Sequence, residues 1–389
     1  MAGARALPIL AVAYAMAFAS TGLQLPLTSL AMQRVGFSMS AVGVMWAARS
    51  GFGILGPALW GTLADRRGDA RPFAAASLLV GAALLVLLSF VTQVPAAIVV
   101  FALYGLLSGP AGSLLDGLTI TALGEHKERF GAWRVAGTLG FGVTAFGGAM
   151  LIDHHWLDPL PSTVFPVAAV LTGCAGLVLI ALPRLPRPRL TDSRAVLRTL
   201  SSRPMLALFA ATTLLWCSHV GYSAFLAPLA LAAGLPEWAI GASLLVAILV
   251  ETVVLRKAHW LLQRFSGRAL VLSVSALAMV RWALLAFTVS PWVFVALHAL
   301  HGVTFGLFFA TLVNLIAAWA PPEMRQAAQG AIGSSAFGLG GVLGSLLAGG
   351  VLDRFGPRAT WLSLAGVAAL ALAVAAAFLP AQVRRDSSP

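Results

Sequence analysis

The sequence predicts an all-α polytopic membrane protein with twelve transmembrane helices in two six-helix halves and both termini in the cytoplasm. The 389 residues are 59% hydrophobic and only 10% charged, with a mean hydropathy of +0.92. Soluble domains carry about 25% charged residues, so this composition indicates a chain that lies largely in lipid. Apolar runs long enough to cross about 30 Å of hydrocarbon recur along the sequence, and basic residues gather in alternate connections.

Twelve apolar segments carry the predicted helices, and several exceed the minimum length, which predicts tilted or kinked helices. Small residues spaced four apart in the fifth segment (Ala136, Gly140, Thr144, Gly148) and the eleventh (Gly341, Ser345, Gly349) predict close helix contacts. Both cysteines, Cys174 and Cys217, lie inside apolar segments and are expected to be packing residues. We place the segments at about 7–31, 39–63, 72–92, 95–123, 130–152, 162–182, 204–233, 237–261, 269–289, 291–319, 328–351 and 358–379.

Orientation follows from the basic residues between the segments. With a cytoplasmic N-terminus, the outer connections contain only Arg34, Arg354 and Arg358, whereas the inner ones contain most of the remaining basic residues. The net charge of +12 therefore reflects the positive-inside rule rather than nucleic-acid binding. We divide the chain into an N-terminal half (1–182), a basic proline-rich linker (183–203), a C-terminal half (204–380) and a tail (381–389). We expect a monomer in the bacterial inner membrane.

Residues 61–71 form a short, charge-dense stretch between the second and third segments. We expect Gly61 to let a helix end approach a neighbour closely and Gly68 to supply a turn. Asp65 can accept hydrogen bonds from a helix start or pair with an arginine. The stretch resembles the signature between helices 2 and 3 of the major facilitator superfamily, with Arg71 one position beyond the usual second basic residue. The resemblance implies a transporter in which this loop gates the conformational change; the matched positions are Gly61, Leu63, Ala64, Asp65, Arg66 and Gly68.

Ionisable residues inside the predicted helices are the main site candidates, because a charge at the helix centre costs about 2.5–3.5 kcal/mol on insertion scales. Asp116 and Arg134 lie at similar depth in neighbouring antiparallel helices, so they can meet. A structural ion pair and a pair for substrate binding or coupling are both open readings. The candidates of the N-terminal half are Arg49, Asp116 and Arg134, and those of the C-terminal half are Glu251, Arg281, His298 and His301.

Glu251 lies in the middle of an apolar segment and is a candidate proton carrier. His298 and His301 are three residues apart and share a helix face, and histidine titrates near neutrality. They could instead be two satisfied polar groups, or a metal site that lacks a third ligand. Arg256 and Lys257 are expected to snorkel to the interface. Weaker pocket candidates are Gln24, Asn314 and Trp282, whereas Trp238, Trp292 and Trp361 lie near segment ends and are expected to be interfacial anchors.

A longer ordered set of residues resembles the phenylpropionate-permease-like group, which is similar to the lactose permease and to nucleoside symporters. That resemblance implies that Asp116, Arg134, Glu251, Arg281 and His301 bind substrate or carry the coupled proton, whereas His298, Arg256 and Lys257 depart from the pattern. The fifth segment lacks the Gly-Pro pair of the antiporter signature, which favours symport. The set comprises Gly36–Gly43, Ala48-Arg49, Gly61–Gly68, Asp116, Arg134–Phe141, Glu251, Arg281-Trp282 and Leu300–Phe305.

The sequence therefore predicts a proton-coupled symporter of a small organic anion or polar metabolite, working by alternating access with a substrate site between the halves. A proton-driven exporter of drugs, sugars or lipids is the alternative, and a non-transporting sensor with the same fold is a third reading. The expected partners are a small-molecule substrate, protons and the bilayer, with no cofactor, metal or nucleic acid. We find no nucleotide-binding glycine loop and no nucleophile motif, so an enzyme is not expected.

Overall fold

A computed structural model describes residues 2–126, 129–185, 200–321 and 324–381, and its regular elements are α-helices. The linker residues 186–199 and the tail residues 382–389 lie outside the described part. The helices are α1 (Ala2–Arg34), α2 (Met39–Arg67), α3 (Arg71–Leu88), α4 (Val94–Leu107), α5 (Ala111–Leu123), α6 (Phe130–Asp153), α7 (Pro161–Ile180), α8 (Arg203–Ala232), α9 (Glu237–Arg264), α10 (Gly267–Leu285), α11 (Pro291–Trp319) and α12 (Arg325–Phe378).

Ten helical stretches of the described residues are long and apolar enough to cross a membrane, with α4 and α5 together forming one of them. Helix α2 is 29 residues long but is not among the ten; it contains Arg49 and ends in a charged turn. Helix α12 covers the last two predicted segments and departs from helical geometry at Gly356, which has a φ of +78° and is followed by Pro357. The count of twelve crossings stays a prediction.

Most helix ends lie within a few residues of their predicted positions, with two informative differences. The predicted segment 95–123 is two helices separated by Ser108, Gly109 and Pro110. Pro110 has no N–H and its ring opposes a continuous helix. Helix α2 continues to Arg67 rather than ending at 63, so Asp65 and Arg66 lie on its last turn and the connection to α3 is only residues 68–70.

The chain forms two compact units. The first contains α1 to α7 together with residues 223–231 of α8 and residues 236–241, and the second contains the rest of α8 and α9 with α10 to α12. In the first unit α6 packs closely on α1, as its small residues predict. Thr144 Oγ1 donates to the Ala19 carbonyl at 2.7 Å, and a Cβ added to Gly140 would overlap the Ala15 carbonyl oxygen.

In the second unit the close approach is between α8 and α12. A Cβ added to Gly344 would overlap the carbonyl oxygen of Cys217, and one added to Gly340 would lie 2.7 Å from the carbonyl oxygen of Thr213. These glycines precede the predicted positions Gly341 and Ser345 by one residue. Cys217 is buried, as its apolar surroundings predict, whereas Cys174 is only half-buried.

Candidate functional site

The connection between α2 and α3 is fixed by Asp69 and Arg71. Arg71 donates from Nε to Asp69 Oδ1 at 2.9 Å and from Nη2 to Oδ2 at 2.6 Å. Its third nitrogen, Nη1, donates to the carbonyl oxygen of Leu182 at 2.6 Å, just beyond the end of α7. Gly68 has a φ of +68°, which confirms the predicted turn. One guanidinium thus joins the start of α3 to the end of α7.

Asp69, for which we predicted no role, makes the contacts expected of Asp65. Its Oδ1 also accepts the backbone N–H of Arg71 at 3.1 Å, and the Arg71 guanidinium holds the pKa of the Asp69 carboxyl below its usual value. The side chain of Asp65 lies outside the described part of the structure, whereas Arg66 is exposed. The prediction for Gly61 is wrong, because a Cβ there would meet no described atom within 4 Å.

A polar cluster in the first unit, here called the Asp116 cluster, comprises Tyr14, Asp116, Thr119 and Arg134. The Tyr14 hydroxyl donates to Asp116 Oδ1 at 2.6 Å, and Arg134 Nε lies 3.3 Å from the same oxygen. The Thr119 hydroxyl lies 3.4 Å from the Tyr14 oxygen. The predicted meeting of Asp116 and Arg134 is therefore present, and their side chains remain 35% and 40% exposed.

Tyr14 is wholly buried on α1 and connects this ion pair to a third helix. The sequence analysis missed it, although a tyrosine inside an apolar segment needs a hydrogen-bond partner when it is buried. Asp116 Oδ1 thus accepts the hydrogen bond of Tyr14 and lies at ion-pair distance from Arg134. The cluster holds the Asp116 carboxylate in a fixed position. Because Asp116 and Arg134 are partly exposed, a ligand can reach either side chain and replace its partner.

Arg49 lies in an aromatic setting between α2 and α4. Its guanidinium carbon is 5.0 Å from the Trp46 ring centroid, 5.4 Å from that of Tyr104 and 5.9 Å from that of Phe101. The helices approach so closely here that a Cβ on Gly105 would overlap the Arg49 carbonyl. Cation–π attraction therefore stabilises Arg49 at a helix interface, separately from the Asp116 cluster.

The second unit contains a larger group of buried polar and aromatic side chains, here called the Arg281 cluster. Arg281 is 0% exposed. Its Nη1 lies 3.0 Å from Nδ1 of His301, and its guanidinium carbon lies 4.1 Å from the Trp282 ring and 4.7 Å from the Tyr222 ring. Among the described residues, no carboxylate lies within salt-bridge distance of Arg281, and its Nε and Nη2 have no hydrogen-bond acceptor. The cluster comprises His219, Tyr222, Arg281, Trp282, His298, His301 and Trp361.

Hydrogen-bond chemistry fixes which histidine nitrogens carry protons. A guanidinium can only donate, so His301 Nδ1 accepts from Arg281 and carries no proton. A carbonyl can only accept, so His298 Nδ1 donates to the Phe294 carbonyl at 2.7 Å, and Nδ1 of His219 donates to the Leu215 carbonyl at 2.9 Å. His298 Nε2 is buried without a partner in the described residues. Two ring nitrogens, His301 Nδ1 and His298 Nε2, are thus available to accept a proton.

Aromatic rings enclose these groups. Trp282 and Trp361 stack with their centroids 5.7 Å apart, and Tyr222 lies 5.5 Å from the His298 ring and 5.4 Å from the His301 ring. Trp361 is 3% exposed, so the prediction of an interfacial anchor is wrong for this residue. Trp292 is 72% exposed. Dry, polarisable walls strengthen the electrostatic interactions inside the cluster.

The remaining candidates occupy other positions in the fold. Gln24 is buried and donates to Ser20 at 2.8 Å, within the packing of α1 on α7. Glu251 is half-buried with its side chain towards α11, where a Cβ on Gly306 would lie 3.3 Å from Glu251 Cγ. Asn314 is half-buried, and Arg256 and Lys257 are exposed.

His219 was missed by the sequence analysis. Its only sequence signal is a titratable ring in the middle of an apolar segment, and that segment contains no other charge to draw attention to it. Its ring lies 5.7 Å from the His301 ring. The described residues contain no group of three side chains that could hold a metal ion.

Comparison with known proteins identifies the family. Residues 7–363 match the model of the MFS_1 like family. The chain belongs to this family. It is also similar to the maltose permease of Geobacillus stearothermophilus, with 25% identity over 90% of this chain and 88% of that protein.

Among solved structures, the fold is similar to that of the nucleoside transporter NupG. The TM-score is 0.80 at 18% identity, and the match covers 97% of this chain and 99% of that one. It is also similar to a bacterial homologue of the human lysosomal transporter Spinster in an inward-facing and occupied conformation, with a TM-score of 0.73 at 14% identity, covering 96% of each chain. These identities show a shared fold. The family and the apolar helices together make this chain an integral membrane transporter.

Proposed function

We propose that the protein is a proton-coupled symporter of a small organic anion and that the Arg281 cluster is where the proton and the anion are linked. The contact between Arg281 Nη1 and His301 Nδ1 carries the proposal. It joins a buried cation to an imidazole ring, a group that can gain and lose a proton. Alternating access by the two halves would move substrate and proton in the same direction.

The geometry supports symport through a mutually exclusive contact. A proton on His301 Nδ1 removes the acceptor that Arg281 uses and places a second positive charge beside the guanidinium. Arg281 Nη1 is then released, and an anion that binds there offsets the positive charge that the proton has added. Proton binding therefore favours anion binding, and by linkage the anion favours proton binding by the same factor. An exporter by antiport needs proton and substrate to oppose each other, which this contact does not provide.

The free donors of Arg281 support an anionic substrate. Nε and Nη2 are buried without an acceptor among the described residues, and a buried polar group without a partner costs about 1–3 kcal/mol. A carboxylate would accept from both nitrogens in the planar fork geometry of arginine. The rings of Tyr222 and Trp282 favour a substrate with an apolar or aromatic body.

Neutral ligands are the competing substrate class, because relatives are named as a maltose permease and a nucleoside transporter. A sugar or nucleoside can stack on Trp282 or Trp361, but it leaves the charge of Arg281 uncompensated. We therefore expect acids to be better substrates than either of these.

The test is proton flux in proteoliposomes, measured with a pH-sensitive dye in a weakly buffered medium. The panel contains aromatic and aliphatic carboxylates, their membrane-impermeant sulfonate analogues, maltose and nucleosides. Symport of an anion predicts alkalinisation of the medium on adding a carboxylate or sulfonate. The signal should be absent from protein-free liposomes, strongly reduced in Arg281→Gln and retained in Arg256→Gln. Acidification of the medium would favour the exporter. Alkalinisation by maltose or a nucleoside alone would overturn the anion assignment.

A further inference from the structure

A cavity of about 750 Å³ opens where the α2–α3 connection meets the end of α7. This α3–α7 cavity is distinct from the Asp116 and Arg281 clusters, and neither cluster contributes a residue to it. Its volume is in the range of small-molecule sites. Its lining combines three arginines, Arg67, Arg71 and Arg184, with one carboxylate, Asp69.

The charges of the lining are unbalanced. Asp69 is occupied by the bidentate contact with Arg71, and Arg71 is further held by the Leu182 carbonyl. Arg67 and Arg184 are exposed, and no carboxylate of the described residues lies within salt-bridge distance of either one. The lining therefore has three guanidinium groups and one carboxylate, which leaves an excess of positive charge in the cavity. Guanidinium groups bind phosphate oxygens in bidentate geometry.

The other part of the lining is apolar. Ala75, Ala76 and Leu79 of α3 face Leu179 and Ile180 of α7. Ile180 is 67% exposed, and Leu177 one turn earlier is 58% exposed, so the apolar wall continues onto the outer surface of α7. A free phosphate would use only the arginines, whereas a phospholipid would use both parts of the lining.

We propose that the α3–α7 cavity binds an anionic phospholipid, with the phosphate on Arg67 and Arg184 and the acyl chains along Ile180 and Leu177. Basic pockets between membrane helices at the headgroup level recognise such headgroups. The bound phosphate joins the end of α2 to the segment that follows α7. The proposal is independent of substrate and coupling, so its test needs no transport.

The test is thermal unfolding of the full-length protein in neutral detergent, with and without phosphatidylglycerol, phosphatidylcholine or inorganic phosphate. A ligand that binds only the folded state raises Tm with concentration. We expect phosphatidylglycerol to raise Tm by a few degrees and the other two to have less than half that effect. The double variant Arg67→Gln/Arg184→Gln should lose more than half of the shift. The matched control Arg256→Gln/Lys257→Gln removes the same charge from exposed positions elsewhere and should keep it.

Two further measurements keep the outcome decisive. Arg67→Lys/Arg184→Lys keeps both positive charges. If these charges bind the phosphate, this variant should recover part of the Tm shift, even where the double glutamine variant is too unstable to be measured. Native mass spectrometry should count one phosphatidylglycerol fewer on the glutamine variant than on the control. Equal shifts with phosphatidylcholine, or with inorganic phosphate, would overturn the phospholipid assignment. If the control variant Arg256→Gln/Lys257→Gln lost as much of the Tm shift, the effect would be one of general charge, and the phospholipid assignment would also be overturned.

Discussion

Arg281 combines full burial with two guanidinium nitrogens that lack an acceptor in the described residues. A charge-assisted hydrogen bond contributes about 1.5–3 kcal/mol, so we expect Arg281→Gln to raise the KM for anion uptake about 10- to 100-fold. Arg281→Lys keeps the charge without the planar fork and should recover only part of the loss. Initial rates of labelled-anion uptake measure this, with Arg256→Gln as the exposed-cation control. An unchanged KM in Arg281→Gln would contradict anion binding at this residue.

His301 and Glu251 are both candidates for carrying the first proton, and one pair of variants separates them. His301→Gln keeps an acceptor for Arg281 but cannot titrate, so it should lose proton-driven accumulation while anion exchange continues. Glu251→Gln, by the same argument, should lose accumulation only if the carboxylate carries the proton. We measure uphill uptake and exchange for both. Retained accumulation in His301→Gln together with its loss in Glu251→Gln would move the carrier role to Glu251.

The residues that sequence could identify are those whose chemistry is costly in lipid. Asp116, Arg134, Arg281, His298 and His301 stand out because charged or titratable groups in apolar segments need partners. Short loops even placed Asp116 beside Arg134. The partners themselves were less visible. Tyr14 and His219 sit on helices that are distant in sequence from their contacts, and tertiary packing, which a single sequence does not encode locally, brings them together.

At the scale of elements, the packing of α6 on α1 depends on Gly140. A Cβ there would overlap the Ala15 carbonyl, so Gly140→Ala should cost about 1–3 kcal/mol through overpacking. Gly147 lies on the same helix with no described atom within 4 Å of its Cβ position, so Gly147→Ala should be neutral or stabilise the helix by about 0.5–1 kcal/mol. Thermal unfolding in detergent compares the two. Equal changes in Tm for the two variants would show that helix propensity, rather than the contact with Ala15, determines the effect on stability.

The α2–α3 connection predicts a specific pH dependence. Because Arg71 lowers the folded-state pKa of Asp69, the stabilisation is fully present above the unfolded pKa of about 3.9. It is lost as the pH falls through the lower folded value. Asp69→Asn should therefore cost a constant amount, about 1 kcal/mol or less for this partly exposed pair, between pH 5 and 8. The difference in Tm between wild type and variant should shrink below pH 4. A difference that grows on acidification would contradict the ion pair.

Helix positions were predictable because lipid cannot satisfy backbone polar groups, so a long apolar run has few alternatives to a helix. The predictions that were wrong concern where helices break or end, because individual side chains and backbone conformations determine those positions. Ser108, Gly109 and Pro110 break the fourth segment, and the charged turn at Asp65 and Arg66 remains helical. Pro110 is visible in the sequence, but segment limits that are set by hydropathy alone do not take a proline into account.

At the scale of the whole molecule, family membership and an extended match to transporter folds agree with what composition predicts. Hydropathy and charge distribution are global quantities, so they specify the class of protein well. The substrate is decided by a few atoms, which in the proposed function are the free nitrogens of Arg281 and the rings around them. Relatives named for maltose and nucleosides show how far substrate can differ among similar folds.

Under the proposed coupling, the contact between Arg281 and His301 predicts the stoichiometry of the whole cycle. If one proton on His301 accompanies one monovalent anion, no net charge crosses the membrane. A potential of 100 mV is worth about 2.3 kcal/mol per elementary charge, or about a 50-fold change in accumulation of a charged species. Accumulation driven by a pH gradient should therefore be unchanged when valinomycin and a potassium gradient impose that potential on proteoliposomes. A second proton, on His298 Nε2, would make the cycle carry one positive charge inward, and the same potential, inside negative, would raise accumulation about 50-fold. Constant accumulation assigns coupling to His301 alone, whereas a strong response assigns it to both histidines.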